Sequence, residues 1–180
     1  NYAILEGFLS ELLRRDVVIV NLPESETNKD DSDDKSNKVD ILSEDQHGEL
    51  MLIELQYYSE WDFFHRMLFG TSKLITDYLK IGEPYANIKK VYSINIVYFE
   101  LGQGPDYVYH GTTWFTGLHH LDTLQISPAQ QEKLKKEAVH QVFPEYYIIK
   151  VNNFDNIAKD TLDEWIYYFK NNALPERYAA

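Results

Sequence analysis

The sequence has no cysteine, no long apolar run and few basic residues. The first two absences exclude classes of protein or site, and the third disfavours one. Without cysteine there are no disulfides, thiolate metal sites or cysteine nucleophiles, so any metal must be bound by oxygen or imidazole. No apolar run approaches the roughly 20 residues that a transmembrane helix needs, and no signal-peptide pattern opens the chain. These absences predict a cytoplasmic protein that does not bind membranes.

The shortage of basic residues argues against a nucleic-acid partner. Lys and Arg number 17 against 29 Asp and Glu, which gives a net charge of -12, whereas contacts with phosphate depend on cationic side chains. Part of this charge is local, because Asp30, Asp31, Asp33 and Asp34 form one short cluster. Carboxylates that bind a divalent cation also count as negative before the cation is bound. The charge therefore weakens a nucleic-acid function without excluding it.

The chain does contain enough apolar material for one folded domain. It has 180 residues, of which 44% are hydrophobic and 14% aromatic, a composition typical of globular rather than disordered proteins. No repeat or low-complexity tract divides it, so residues 1–180 are expected to form a single domain. Because the chain begins with Asn1 rather than methionine, that domain could be a fragment of a longer protein.

Hydrophobic periodicity predicts an α/β domain. In the first half it predicts a helix at 3–14, a strand at 16–22, a loop at 23–37, strands at 38–43 and 49–56 joined by a turn at 44–48, and a helix at about 60–80. In the second half it predicts strands at 90–99, 107–115 and 146–151, and helices at 128–140 and 162–170. The order α-β-β-β-α-β indicates a mixed sheet flanked by helices.

The strands at 38–43 and 49–56 carry the candidate chemistry. Side chains alternate along a strand, so Asp40 shares a face with Lys38, and Glu54 shares one with Gln56. If the strands pair about a turn centred near His47, Asp40 lies directly opposite Glu54, because both are seven positions from that centre. Two like charges so placed destabilise a sheet unless they are exposed, one is protonated, or a cation lies between them.

A divalent cation would make this pair a site for phosphodiester hydrolysis. Mg²⁺ and Mn²⁺ favour oxygen ligands, and Mg²⁺ typically takes one or two carboxylates together with water and phosphate oxygens. Asp40 and Glu54 would then be metal ligands, while the neutral amide of Gln56 could only orient water or phosphate. The alternative is structural, with Asp40 at a strand edge and Glu54 facing solvent, as acidic residues usually do.

The same strands carry a family resemblance. The chain resembles the PD-(D/E)XK nuclease family transposases, also called recombination-promoting nucleases, in the segment KSNKVDIL at 35–42, Gly48, the segment LIELQ at 52–56 and Arg66. Further similar segments lie at 4–9, 91–96 and 162–165. The resemblance implies a restriction-endonuclease-like fold with an α-β-β-β-α-β core, which agrees with the order of elements predicted above.

The resemblance also implies an activity and its residues. It gives Asp40 the first acidic position of the family motif, Glu54 the second and Gln56 the last. It further implies a cytoplasmic bacterial or phage-like protein that cleaves DNA with one or two Mg²⁺ ions and acts in recombination or element mobility. Two coordinated cuts in a duplex would require a homodimer or repeated encounters.

Two positions depart from the family motif. Val39 stands where the family name has proline, and Gln56 stands where it has lysine. The first change is mild, because that position needs only an extended backbone. The second removes a cation near the attacking water. Lys38 could supply the missing charge if the strand is regular, and so could Lys35.

Two further candidate residues lie on helices. In nucleases of this class an acidic residue on the first helix often reaches the metal, and Glu6 is preferred to Glu11 because it lies in the segment most like the family. Arg66 could clamp a phosphate or pair with Glu54. The alternative for these residues is ordinary surface charge on amphipathic helices.

Two other functions remain open at this point. A degenerate nuclease domain that binds DNA or protein without cutting is favoured by Gln56 and by the net charge of -12. A structural or regulatory protein could instead use its acidic surface to bind a basic partner. That second alternative predicts that Asp40 and Glu54 diverge on the sheet and that the loop around Asp31 forms the contact surface.

Overall fold

The chain folds into the predicted α-β-β-β-α-β order over its first six helices and strands. The structure is a computed structural model that describes residues 2–23 and 38–175. The helices are α1 (Ala3–Leu13), α2 (Phe63–Asp77), α3 (Pro128–Leu134) and α4 (Thr161–Asn171). The strands are β1 (Ile19–Asn21), β2 (Lys38–Asp45), β3 (Leu50–Gln56), β4 (Val91–Val97), β5 (Val108–Gly111) and β6 (Glu145–Lys150).

The six described strands form one mixed sheet in the order β1-β2-β3-β4-β6-β5. The β2–β3 pair is antiparallel, β3 runs parallel to β4, and β4 runs parallel to β6. The edge strands β1 and β5 are both antiparallel to their neighbours. The carboxyl ends of the three parallel strands therefore meet at one end of the sheet, where β3 carries Glu54 and Gln56. The predicted mixed sheet flanked by helices is confirmed.

Helices cover both faces of the sheet, because the central strands carry apolar side chains on both sides. We call the side covered by α1 and α4 the α1 face; its buried core includes Phe8, Leu9, Leu12, Met51, Ile53, Ile94, Ile149 and Ile166. We call the side covered by α2 the α2 face; its buried clusters contain Phe63, Met67, Val97 and Leu101, and Leu42, Leu50 and Val91. Asp40 is two residues from Leu42 on β2, and Glu54 and Gln56 are four and six residues from Leu50 on β3. Because alternate side chains of a strand point to the same face, these three residues belong to the α2 face.

Helix α2 comes close to the sheet at Gly70. A Cβ atom at that position would lie only 3.2 Å from Leu52 Cδ2 on β3, which is tighter than ordinary side-chain packing. The glycine thus lets the helix axis approach the strand that carries Glu54. This approach brings Arg66, one turn earlier on the same helix, within reach of the sheet.

The strand predicted at 16–22 forms only over Ile19–Asn21. Side chains satisfy the backbone before it: Ser10 Oγ accepts a hydrogen bond from Val17 N–H, and Gln46 Oε1 accepts one from Val18 N–H. These two donors are therefore bonded to side chains instead of to a strand ladder.

Other predicted boundaries also move. The helix predicted at 128–140 ends at Leu134, because Lys135 adopts the left-handed conformation with φ of 53°, which ends a helix. The strand predicted at 107–115 ends at Gly111. None of the described helices is both long and apolar enough to cross a bilayer. The loop predicted at 23–37, with its acidic cluster, lies outside the described residues apart from Pro23.

Candidate active site

The turn between β2 and β3 sets the position of the candidate carboxylates. Asp45 Oδ1 accepts hydrogen bonds from the backbone N–H groups of His47 and Glu49, each at 2.9 Å, and Gly48 has the positive φ of 74° that the turn requires. Arg15, just after α1, donates to Asp45 Oδ2 at 2.9 Å. The two oxygens of Asp45 thus join the turn backbone to Arg15, and the turn fixes the register of the two strands.

In this register Asp40 pairs directly with Glu54, as predicted. Cβ atoms of directly opposite residues lie about 4.5–5.5 Å apart on the same face of a sheet, close enough for two carboxylates to share one cation. Glu54 is buried, with 6% of its surface exposed, and Asp40 is half-buried. The interpretation that Glu54 simply faces solvent is therefore wrong, as is the expectation that the two residues diverge.

Arg66 forms the predicted pair with Glu54. Its Nε donates to Glu54 Oε1 at 2.5 Å, and its Nη1 donates to both carboxylate oxygens of Glu60, at 3.1 and 3.2 Å. The Glu54 side chain is 8% exposed, whereas those of Arg66 and Glu60 are 28% and 36% exposed. The guanidinium thus orients a buried carboxylate and ties it to the segment that follows β3. A phosphate contact by Arg66 stays a prediction.

Gln56 lies beside these carboxylates with its amide buried. Its Nε2 donates to the carbonyl of Tyr58 at 3.0 Å, while its Oε1 is buried and accepts no hydrogen bond from the residues that the structure describes. In the strand ladder Gln56 pairs with Lys38. The side chain of Lys38, and all of Lys35, lie outside the described part of the chain, so the charge that we expected from either lysine stays a prediction.

The structure does not bring Glu6 to Asp40 and Glu54. Helix α1 packs on the α1 face, whereas the two carboxylates belong to the α2 face. Glu6 Oε1 instead accepts a hydrogen bond from Ile19 N–H at 2.8 Å, which joins α1 to β1. Glu11 is exposed on α1. Because α1 covers the opposite side of the sheet, Glu6 has a structural contact with β1 in place of the predicted contact with the metal site.

The donor set nevertheless fits a hard divalent cation with few protein ligands. Within residues 2–23 and 38–175, no three His, Asp or Glu side chains are grouped as a metal site. Two opposed carboxylates and the buried amide oxygen of Gln56 are all oxygen donors, the type that Mg²⁺ and Mn²⁺ prefer. Mg²⁺ usually needs only one or two carboxylates, because water and phosphate oxygens complete its shell. Asp40 and Glu54 could hold such an ion.

Two polar residues near the site were missed by sequence analysis. Asn95 on β4 pairs with Glu54 in the parallel ladder and is 1% exposed. Its Nδ2 donates to Ser93 Oγ and to the carbonyl of Tyr147. Alternating polar residues within the apolar segment 90–99 are a signal that could have indicated a polar row facing α2. The role of Glu60 could be found only from the folded chain, because its contact with Arg66 is tertiary.

A second cluster of ionisable side chains lies at the other end of the sheet. Glu145 on β6 is 3.0 Å from His140 Nδ1 and 3.4 Å from both His110 Nε2 and Lys90 Nζ. Burial alone would raise the pKa of Glu145, but the charge of Lys90 and the hydrogen bonds with His140 and His110 lower it below its ordinary value. Burial also lowers the pKa of Lys90, which the charge of Glu145 offsets only in part. The cluster contains no candidate site residue, and it ties β4 and β5 to the start of β6.

Comparison with known proteins identifies one family. A family model described as PD-(D/E)XK nuclease family transposase matches residues 1–178, nearly the whole chain. No curated protein and no solved structure matches the chain. The match includes every element that contributes to the site: β2 with Asp40, β3 with Glu54 and Gln56, and α2 with Arg66.

Proposed function

The chain belongs to the PD-(D/E)XK nuclease family transposases, and from this membership we propose that it is a metal-dependent DNA endonuclease. The observation that supports the proposal best is the direct pairing of Asp40 with the buried Glu54. Arg66 offsets part of this negative charge at Glu54 Oε1, and a divalent cation between the two carboxylates would offset the rest. Such a cation is what metal-assisted phosphodiester hydrolysis uses. Membership in a nuclease family makes DNA the expected substrate.

In the proposed site, the chain provides ligands and orientation. Asp40 and Glu54 hold Mg²⁺ or Mn²⁺, which when bound would polarise the phosphate and lower the pKa of the attacking water. Arg66 positions Glu54 through its hydrogen bond to Oε1. Gln56 can orient water or phosphate through its amide, but it cannot take up a proton at neutral pH. Lys38, which pairs with Gln56 in the ladder, is proposed to supply the charge that the family motif places at position 56.

The proposed setting follows from the same family. We place the protein in the cytoplasm, where DNA is accessible. A chain without cysteine forms no disulfides and therefore gains nothing from an oxidising compartment. The family description names a transposase, which supports the proposal of a role in recombination or element mobility. A homodimer would bring two sites to the two strands of a duplex.

Gln56 favours a second candidate function, a catalytically degenerate module that binds DNA or protein. The lysine of the motif is absent at this position, and the net charge of -12 gives little general attraction for phosphate. A module of this kind has no need to bind a divalent cation. Metal binding therefore separates the two functions.

The test combines plasmid nicking with thermal stability. Supercoiled plasmid is incubated at low salt with Mg²⁺ or Mn²⁺ and with the wild type, Asp40→Asn, Glu54→Gln, or the control Glu11→Gln, an exposed acid on α1. We expect the wild type and the control to nick the plasmid and both site variants to lose metal-dependent nicking. Mg²⁺ at 100 times its Kd should also stabilise the wild type by about 2.7 kcal/mol, and this gain should vanish in the two variants.

Two results would overturn the endonuclease proposal. If all four proteins nick alike, the cutting does not come from Asp40 and Glu54. If none nicks the plasmid and Mg²⁺ stabilises none of them, the degenerate module replaces the enzyme.

A further inference from the structure

Three large aromatic side chains stand exposed directly after β3. Tyr58, Trp61 and Phe64, which we call the aromatic surface, have exposed fractions of 64%, 92% and 52%. By contrast, Trp165 packs against Phe8 of the core with ring centroids 6.1 Å apart. A single exposed apolar residue is ordinary, but three exposed rings within seven residues are not explained by folding.

Hydrogen bonds connect the aromatic surface to the proposed catalytic site. Glu60, inside the same segment, accepts from Arg66, and the same guanidinium donates to Glu54. The buried amide of Gln56 donates to the carbonyl of Tyr58 at 3.0 Å. The aromatic surface therefore lies at the end of the sheet where the two carboxylates pair, and its backbone is held by residues of the site itself.

Two rings of this segment, those of Tyr57 and Phe64, also contact the rest of the protein, although Tyr57 is 47% exposed. Tyr57 stacks on Tyr98 of the chain after β4, with ring centroids 4.4 Å apart and an interplanar angle of 20°. Phe64 lies over Gly102, where an added Cβ would be 3.7 Å from its ring. The rings of Tyr57 and Phe64 are therefore each held by a contact with the chain after β4.

The charge around the aromatic surface does not favour the outside of a duplex. Glu60 and Asp62 flank Trp61 in the chain, and the whole protein carries a net charge of -12. A duplex presents its phosphates and hides the faces of its bases, so binding it depends on Lys and Arg. A single strand also carries phosphates, but its unpaired bases expose both faces. Stacking on an aromatic side chain contributes about 1–3 kcal/mol per base, and this contribution is available only where the bases are unpaired.

We infer that the aromatic surface stacks on unpaired nucleobases next to the site, so that the preferred substrate is DNA with a single-stranded or unpaired segment at the cut. The inference rests on the proposed function for DNA as the ligand. It goes beyond that function by naming the form of DNA and Trp61 as the main stacking residue. Stacked bases would place the neighbouring phosphodiester beside Asp40 and Glu54.

The test is a binding experiment that needs no cleavage. Three fluorescein-labelled DNAs of one sequence are compared by anisotropy at low salt in EDTA: a single strand, a duplex, and a duplex with four central unpaired bases. Each is titrated with the wild type, Trp61→Ala and the control Trp114→Ala; Trp114 is 53% exposed and lies after β5, away from the site. Because Trp61 is 92% exposed, its variant should keep the wild-type melting temperature.

We expect the wild type to bind the single strand, and the duplex with four central unpaired bases, more tightly than the fully paired duplex. Trp61→Ala should weaken binding of both by about 5- to 150-fold and remove the preference over duplex, while Trp114→Ala should leave that preference intact. Equal binding of duplex and single strand by the wild type, or equal effects of the two tryptophan variants, would overturn the inference. The inference would also be overturned if sedimentation showed that Trp61→Ala dissociates a dimer without changing DNA binding. That result would mean that the aromatic surface binds a second copy of the chain.

This result and the endonuclease result can fail separately. Metal-dependent nicking through Asp40 and Glu54, with no preference for unpaired bases, would remove the inference alone. A preference for unpaired bases that depends on Trp61, without metal-dependent cutting, would remove the enzyme and leave the base-stacking surface.

Discussion

Replacing Arg66 with alanine should destabilise the protein, because it removes the hydrogen-bond donor of the buried Glu54 carboxylate. The side chain of Glu54 is 8% exposed, lies opposite Asp40 and accepts the Nε hydrogen bond of Arg66. Removing the guanidinium leaves the Glu54 charge in a buried position without its cationic neighbour, and burying a charge without compensation is costly. The loss of the contact between Arg66 and Glu60 matters less, because the Glu60 side chain is 36% exposed.

The size of the effect follows from the kind of hydrogen bond. A hydrogen bond to a charged group contributes about 1.5–3 kcal/mol to stability. We expect Arg66→Ala to cost that amount, and for a chain of this length each kcal/mol lowers the melting temperature by about 2–4 °C. The melting temperature should therefore fall by about 3–12 °C. Lys73→Ala, on the same helix and half-buried, is the control for helix propensity and should cost less than about 0.5 kcal/mol.

A double-mutant cycle measured by urea unfolding isolates the pair. In the background of Glu54→Gln, which has no charge at position 54, Arg66→Ala should cost less than about 0.5 kcal/mol, so that most of its effect is coupling. If Arg66→Ala costs the same with Glu54 and with the glutamine, the guanidinium does not stabilise this carboxylate. The positioning role assigned to Arg66 would then be wrong.

Three further changes test other parts of the structure. Because the folded pKa of Glu145 lies below its ordinary value of 4.5, the stability it contributes is present above that pH and is lost as pH falls through the lowered pKa; urea unfolding at decreasing pH should show a loss in the wild type that Glu145→Gln lacks. Gly70→Val, whose Cβ would lie 3.2 Å from Leu52 Cδ2, should cost about 1–3 kcal/mol by calorimetry; an unchanged melting temperature would contradict the close approach of α2. Lys135→Gly should stabilise by about 0.5–1 kcal/mol in thermal melts, since φ is 53° there, and a loss of stability would contradict the left-handed cap.

The pairing of Asp40 with Glu54 could be predicted because its causes are local. The side-chain period of a strand is two, and a short turn with Gly48 near its centre leaves one symmetric register. The structure has that register, with Lys38 opposite Gln56 at the far end. The turn residues that hold it, Asp45 above all, are also close in the sequence.

The ends of several elements could not be predicted, because they depend on contacts from distant residues. β1 is short since Ser10 and Gln46 satisfy the backbone of residues 17 and 18. These partners come from α1 and from the β2–β3 turn, and no local pattern identifies them. β5 pairs with β6 at the edge of the sheet, and its last pair, Gly111 with Tyr146, lies one residue from the start of β6.

The sequence by itself determined the order of elements, the mixed sheet and the register that brings Asp40 to Glu54, because periodicity and turn chemistry act over a few residues. The family was indicated by the resemblance of short segments such as LIELQ at 52–56. The tertiary structure decided which helix covers which face of the sheet. That choice placed Arg66 on the buried carboxylate and gave Glu6 a contact with β1 instead. It also left Trp61 exposed beside the site. Burial and charge pairing depend on contacts between elements that are distant in the sequence. These contacts form only when the chain has folded, so local sequence patterns do not predict them.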